Sequence, residues 1–474
     1  MTLFRQLGLL LVTPFTQNLM TTESCLSNNF LGNYQDAGTI FTIHIIRDDE
    51  CLQASSSRLN SAHYGPAPDP REQLVWLEKA AIDETLQAHI PQSKSILNEL
   101  LLSLQAPVIQ DEPELQKIMS SHATTIPSYN VHYSTDTAAL ISLDSEKARV
   151  IDTLLPPFWK SKLLPTAPST YLPIPTAAIA TVKTILTRLK FDPVVASIVN
   201  NISVPQIQND VRFLTGEDGK SGIISRHSFS TGAITAANWL RARVEDTGAT
   251  CRLSPFLPGF APNVICRYDA IKDTNATVLV SGHYDSRGSF GSIRAPGGDD
   301  DGSGTTGVLS IARTIARKGV KFHSNVELAF FAGEEQGLLG SRAYARELRE
   351  AGANLTLMVQ ADMTAYRAPG EPLQLGLPDI IGSPEVTQLV ANISAIYSPE
   401  LTIGFTPACC SDHQSFHEQG FPATQVFERA GPIADPMYHN SGDLSGREGF
   451  DLQQLYAIAK VQFATILHTA GYEL

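Results

Sequence analysis

Residues 276–286 read ATVLVSGHYDS. Val278, Leu279 and Val280 leave the run no polar face, which is what a strand buried on both sides requires. His283 and Asp285 follow directly at its end. Residues 304–319, GTTGVLSIARTIARKG, place Val308, Leu309, Ile311, Ala312 and Ile315 at helical spacing and stop at Gly319. Two further apolar runs follow, NVELAFFAGEE (325–335) and LTLMVQADM (355–363), and the chain closes with the amphipathic DLQQLYAIAKVQFATILHT (451–469). Upstream, ITAANWLRARVEDTG (234–248) is amphipathic and ends at Gly248. Short apolar strands alternating with helices predict an α/β fold with a mostly parallel central sheet sandwiched by helices. The pattern sets in near residue 195, so one large domain is expected over 195–474.

Each of these runs ends in a residue that could bind metal. The first gives His283 with Asp285 two residues on, the second Glu334-Glu335, the third Asp362, and DPMYHNSGD (435–443) supplies His439. Between the first strand and its helix lies APGGDDDGSG (295–304), with Asp299, Asp300 and Asp301 in a row behind two glycines. Taken singly, each group has an ordinary explanation: an acidic surface turn, a hydrogen-bonded histidine, a solvated glutamate pair. Together they fall at one topological place, the carboxyl ends of the strands, where open α/β sheets bind ligands. Carboxylates gathered there cost several kcal/mol each unless a charge neutralises them. Two histidines and three carboxylates suit zinc better than calcium or magnesium, which prefer all-oxygen shells. One carboxylate can bridge two cations, and the count then fits two zinc ions with one glutamate left free for chemistry.

The rest of the composition limits the alternatives. A formal charge of −13 argues against nucleic acid or an anionic membrane surface as partner, and no stretch is long and apolar enough to span a bilayer. Arg5 followed by the apolar run Leu7–Phe15 reads as a secretory signal over residues 1–20. Sequons at Asn201, Asn275, Asn354 and Asn392 and an even count of six cysteines agree with a secreted or vacuolar protein. Cys251 and Cys266 flank a Pro/Gly-rich loop suited to one disulfide, worth roughly 3 kcal/mol. Cys409-Cys410 fits a vicinal disulfide or two free thiols. The Pro-rich LLPPFWKSKLLPTAPSTYLPIPTAAIA (154–180) divides the chain. The separate N-terminal segment before it, 21–190, holds the strand-like GTIFTIHII (38–46), a helical pattern over about Glu72–Gln105, the buried-helix candidate LNELLLSLQAPVI (97–109), and no cluster of ligands. It is a candidate pro-region.

GHYDS, APGGDDDGSG, FFAGEEQGLLGS, QADM and YHNSGD, in that order, resemble the secreted and vacuolar di-zinc aminopeptidases of the bacterial leucine aminopeptidase and aminopeptidase Y kind. The resemblance covers about residues 195–474 and implies a zinc-exopeptidase-like fold holding two Zn2+ per chain. It implies that His283 and Asp362 hold one zinc, Glu335 and His439 the other, and that Asp300 bridges them. Glu334 would be the general base, Asp285 would orient His283, and the peptide bond after Asp300 would be cis. Gly297 and Gly298 would let the backbone bend to aim Asp300, while Asp299 and Asp301 need not enter the metal shell. The substrates would be peptides with a free N-terminus, bound by a monomer. TPACCSDHQSFHEQGFPATQVFE (406–428) resembles the segment lining the specificity pocket in relatives. Met363, Phe427 and Tyr438 are candidates for its apolar wall, although core packing explains each equally well. Relatives often carry two half-cystines bracketing a tyrosine before SDH; this chain has Thr406, Pro407, Ala408 and Cys409-Cys410 there. Asp412 and His413 remain candidate pocket groups. A carboxypeptidase or dipeptidase on this fold would need a cation for a terminal carboxylate, for which Arg287, Arg294 and Arg429 are available. A single-zinc cyclase or a binding protein without catalysis is disfavoured by the complete ligand set.

Overall fold

The computed structural model describes residues 8–48, 51, 62–88, 129–289, 291–408 and 410–474. The chain divides into two compact units, Met1–Ala81 with Ile90–Pro173, and Ile82–His89 with Ile174–Leu474.

The first unit holds β1 (Leu9–Pro14), β2 (Phe30–Asp36), β3 (Thr39–Ile46), β4 (His63–Pro66), β5 (Glu72–Lys79), β6 (Asn130–Ser134), β7 (Ala138–Asp144) and β8 (Trp159–Leu163). These form two antiparallel sheets, in the orders β2-β3-β1-β4 and β6-β7-β5-β8. Leu10, Val12, Ile43, Trp76 and Leu140 bury together in their core. Leu9–Pro14, part of the apolar run at the start of the chain, is paired on both sides, to β3 and β4. The helix expected from Glu72 is corrected: Glu72–Lys79 is a strand between β7 and β8. Its Leu74-Val75-Trp76-Leu77 block is buried on both faces, which no helix stripe provides, and β-branched and aromatic residues favour the pleated surface. LNELLLSLQAPVI lies outside the described residues. The Pro-rich stretch is partly regular, since it contains β8 and the start of the helix Thr176–Arg188, whose Val182 packs in the core of the second unit.

The second unit is built on β9 (Thr250–Ser254), β10 (Asn263–Tyr268), β11 (Ala276–His283), β12 (Lys321–Phe322), β13 (Asn325–Phe331), β14 (Asn354–Ala361), β15 (Gln374–Pro378), β16 (Thr402–Thr406), β17 (Ala423–Val426) and β18 (Tyr472–Glu473). Six of them form one sheet in the order β17-β14-β11-β13-β10-β9. β17, β14, β11 and β13 run parallel, while β10 and β9 are antiparallel additions. Alternate residues of β11 go to opposite faces. Val278 and Val280 pack with Leu309 and Ala312 of the helix Gly302–Lys318 and with the helix Leu452–Ala470, and Leu279 packs with Tyr344 and Phe416 on the other face. The sheet is thus a mostly parallel α/β sandwich, and its strands are apolar on both sides for that reason.

The helix Gly302–Lys318 begins where Asp301 Oδ1 accepts the Gly304 N–H at 2.8 Å and ends at Gly319, whose φ of 68° lies in the left-handed region. Arg317 and Lys318 in its last turn suit the helix dipole. Gly282 permits the close crossing of this helix over β11: a Cβ there would meet the Thr305 nitrogen at 2.8 Å. In register, His283 lies opposite Phe331 and Ser281 opposite Gln360. The residues that follow β11, β13 and β14 therefore emerge at one edge of the sheet. Among the described residues no helix is long and apolar enough to cross a membrane.

Candidate metal centre

At that edge His283 Nε2 lies 3.3 Å from Asp300 Oδ1, 3.7 Å from Asp362 Oδ1 and 3.9 Å from Glu334 Oε2. Asp300 Oδ2 lies 3.2 Å from His439 Nε2, which is 2.9 Å from Glu335 Oε2. Asp300 therefore offers one oxygen to each imidazole. Two three-donor groups result, His283–Asp300–Asp362 and Asp300–Glu335–His439, each with its ligand atoms within 4.8 Å of one another. Glu334 stands beside them. The side chains of Glu334 and Asp362 are 14% and 15% exposed, whereas those of His283, Asp300, Glu335 and His439 are at most 6% exposed. The cluster is reached from the side of Glu334 and Asp362.

The donor set fits a cation. His283 Nε2 and Glu335 Oε1 are buried and make no hydrogen bond, which is costly for polar atoms in a folded protein unless something else occupies them. Burial pushes the Glu334 carboxyl well above the carboxylate range, and Asp362, Glu335 and Asp412 add to the push. Burial also raises Glu335, reinforced by Asp300. Burial would raise Asp300 too, but the two imidazoles facing its oxygens hold it below its ordinary value. Burial disfavours the charged form of both imidazoles, and the surrounding carboxylates overcome it, so His283 and His439 are raised. Negative charge is in excess and is arranged around two positions.

The three consecutive aspartates have separate tasks. Asp299 Oδ1 accepts the Ala365 N–H at 2.8 Å. Asp301 accepts the His283 N–H at 3.0 Å and the Met363 N–H at 3.2 Å, in addition to capping its own helix. Asp299 and Asp301 thus tie the triplet to β11 and to the segment that follows β14, and Asp300 between them faces the imidazoles. The Asp300–Asp301 peptide bond is cis. Asp443 accepts the N–H groups of Asp299 and Asp300 and is paired with Arg447 at 3.0 Å. Gly297 has φ 52°, and a Cβ on Gly298 would meet the Leu444 carbonyl carbon at 2.8 Å, so both glycines are required where the loop turns. Beneath the loop Arg226 is fully buried and donates to the carbonyls of Tyr284, Leu214, Pro296 and Gly297.

Asp285 joins the two halves of the cluster. Its Oδ1 is 3.4 Å from His283 Nδ1, and its carboxylate accepts the N–H groups of Glu334 and Glu335 at 3.4 Å and the Ser228 hydroxyl at 2.9 Å. Met363 and Tyr438 adjoin the ligand residues, and the Tyr438 ring is stacked on His439 at 3.8 Å. Phe427 is buried against Gly376, with which it exchanges both backbone hydrogen bonds. Asp412 accepts from Gln360 at 3.3 Å, and burial pushes its carboxyl up to about 7; His413 Nε2 meets the Ile381 carbonyl at 3.0 Å. Of the three arginines, Arg429 is held by Glu371 at 2.7 Å and Asp83 at 3.0 Å, Arg294 is exposed, and Arg287 is buried with Nη1 2.9 Å from His439 Nδ1. Cys251 pairs with Cys266 and Cys25 with Cys51. Cys410 is disulfide-bonded, and Cys409 lies outside the described residues. Sequence reasoning missed Arg226, Ser228, Asp443 and Arg447. Asp443 lies inside the quoted YHNSGD, so only the closing residue of that motif could have signalled one of them.

Residues 263–465 match the model of peptidase family M28. Over that stretch, less than half of the chain, the sequence is similar to peptidase family M28. The stretch runs from β10 into the closing helix and includes all the residues of the cluster. A probable leucine aminopeptidase of Arthroderma otae is 28% identical over 270 residues, 54% of this chain and 70% of that protein. Leucine aminopeptidase 1 of Sclerotinia sclerotiorum is 34% identical over 192 residues, 37% of this chain and about half (49%) of that protein. The Legionella pneumophila LapA aminopeptidase shares the fold, with TM-score 0.58 and 17% identity, covering 86% of this chain and all (100%) of its own. LapB from the same organism gives 0.59 at 17% identity, covering 84% of this chain and 100% of its own.

Proposed function

We propose that this chain is a metallo-aminopeptidase that hydrolyses the first peptide bond of peptides with a free N-terminus. The observation that carries the reading is Asp300 shared between two three-donor groups, with Glu334 beside both and belonging to neither. The similarity to peptidase family M28 and to the leucine aminopeptidases supports it. His283 and Asp362 would hold one zinc ion, Glu335 and His439 the other, and Asp300 both. Bound there, the pair supplies Lewis acidity that makes water a nucleophile near neutral pH and polarises the scissile carbonyl. Glu334, on the open side, takes the proton of the attacking water, and the same carboxyl then gives it to the leaving amine as the C–N bond breaks. Asp285 orients His283 and fixes the Glu334-Glu335 turn through two backbone N–H groups. Met363 and Tyr438 would border the side chain of the first residue. Arg429 is committed to two carboxylates, which removes it from a carboxypeptidase reading.

Hydrolysis of leucyl-p-nitroanilide, compared with the N-acetylated compound and repeated after chelation and zinc return, tests this reading. The free amine is expected to be cleaved, the blocked one not, and chelation to abolish cleavage reversibly. Cleavage of the blocked compound alone would overturn it. We also infer export from the cell, on the paired cysteines and on sequons whose Asn201, Asn275 and Asn354 are exposed. Recovery of the native protein only from the cell interior, with no mobility change on glycosidase treatment, would contradict export.

A further inference from the structure

The loop between Cys251 and Cys266 has no part in the mechanism above, yet it reaches the catalytic turn. Cys251 and Cys266 are direct partners across β9 and β10, so the disulfide clamps the hairpin near its base. The tip is pinned as well. The Ala261 N–H donates to the Ser228 carbonyl at 2.8 Å, and Asn263 accepts from Ala332 N–H at 3.1 Å and donates to the Gly340 carbonyl at 2.9 Å. Ser228 Oγ in turn accepts the Gly333 N–H at 3.0 Å. A Cβ on Gly333 would meet the Phe256 ring at 3.1 Å, so that ring lies against the residue preceding Glu334. On the other side of the same turn, Gln336 Nε2 is 3.3 Å from His227 Nε2. Phe229 lies 4.4 Å from Phe260 and 5.6 Å from His227, and Phe256 lies 5.4 Å from Phe260, by ring centroids. Phe260 is buried beneath them, His227, Phe229 and Phe256 are half-buried, and Leu257 is 42% exposed. The result is an aromatic shelf, open to solvent, continuous with the turn that carries Glu334.

Which part of a substrate would meet it follows from the proton that Glu334 must deliver. The leaving nitrogen belongs to the second residue of the peptide, and it has to come within hydrogen-bond reach of Glu334. The side chain of that residue then lies against whatever flanks the Glu334 turn. Met363 and Tyr438 flank the ligands Asp362 and His439, on other elements. The shelf lies against the backbone on either side of Glu334, at Gly333 and Gln336. We propose that His227, Phe229, Phe256 and Leu257 form a binding site for an apolar or aromatic side chain at the second position of the substrate, held in place by the Cys251–Cys266 hairpin. The proposal rests on the aminopeptidase reading and adds a second specificity site to it.

The zinc-loaded protein, assayed on Leu-Phe and Leu-Gly, tests the assignment. The ratio of kcat/KM values is expected to favour Leu-Phe by about 10-fold, mostly through KM, as burial of one large apolar group allows. Phe256→Ala and Phe229→Ala should each bring that ratio towards one, with Phe229→Leu between, while the preference between Leu-Gly and Gly-Gly, set at the first residue, holds. If Phe256→Ala fails to fold, Phe229→Ala and the exposed Leu257→Ala carry the same readout. A ratio near one in the unmodified protein, or one unchanged in all three alanine variants, overturns the shelf while leaving the aminopeptidase reading intact. No cleavage of either dipeptide would sink that reading and the shelf with it.

Discussion

Both units bury charge, and they answer it differently. In the first unit Glu78 is met by Lys162 at 2.9 Å and by Lys160 at 3.7 Å. Asp36 there accepts the hydroxyls of Tyr133, Thr135 and Thr137. Away from the sheet edge the second unit does the same: Asp210 is paired with Arg313, and Glu327 with Arg267 and Tyr344. At the edge the balance fails. Asp300, Glu334, Glu335 and Asp362 converge on two imidazoles, and the buried Arg226 below spends its donors on carbonyls. Charge that the chain compensates itself is structural, and charge that it leaves uncompensated, gathered round two points, marks a place for something that the chain does not supply.

That contrast can be attacked at several points. The largest effect is expected for Glu334→Gln, which keeps the metal and loses about 10³-fold in kcat, the size of general-base catalysis; retained metal is read by elemental analysis, and activity near the unmodified level would remove Glu334 from its role. In the first unit, Lys162→Met should destabilise by about 3 kcal/mol, because Glu78 stays buried without its nearer partner; urea unfolding measures it, and turnover per folded molecule should not move.

His44 gives the first unit an acid limit. Burial lowers its pKa to about 4 from 6.5, with Nδ1 2.9 Å from the Leu26 carbonyl. The folded state holds the neutral ring, so the unfolded state binds more protons below pH 6.5. Stability is complete above that pH and is lost as the pH falls towards 4, by about 3 kcal/mol. Unfolding midpoints across this window should slope less in His44→Gln; equal slopes would contradict the assignment. The smallest effect carries the opposite sign. Asp362→Asn in the metal-free protein relieves like-charge crowding and should raise the melting temperature slightly, by about 1 kcal/mol of stability, while metal binding falls. A lower melting temperature in the metal-free variant would mean that the edge, like the first unit, had compensated itself.

The sheet was legible because parallel strands buried on both faces need unbroken apolar runs, and Val278–Val280 and Phe330–Phe331 have them. The helix after the aspartate triplet was legible from its spacing and its glycine stop. His283, Glu335 and Asp362 stood out as ligand candidates because each follows such a run. Glu72–Lys79 was misread, since Leu74, Leu77 and the alanines beyond them also fit a helical stripe; pairing with β7 and β8, distant in sequence, decides for a strand. Arg226 and Ser228 were invisible for a related reason. They act on backbone groups brought near only by the fold, and nothing local distinguishes a buried arginine from a surface one. The Cys25–Cys51 pair has no spacing signal of its own. The aromatic shelf lies on two segments that sequence patterns present only as a Pro/Gly-rich loop and the turn before a helix.

The most direct test is the zinc content of the purified protein and of Asp300→Ala after equilibration with excess zinc and removal of the free ion. The account expects two equivalents per chain in the unmodified protein and loss of both in the variant, because one side chain serves both positions. One equivalent or none in the unmodified protein, or two retained in Asp300→Ala, would contradict it.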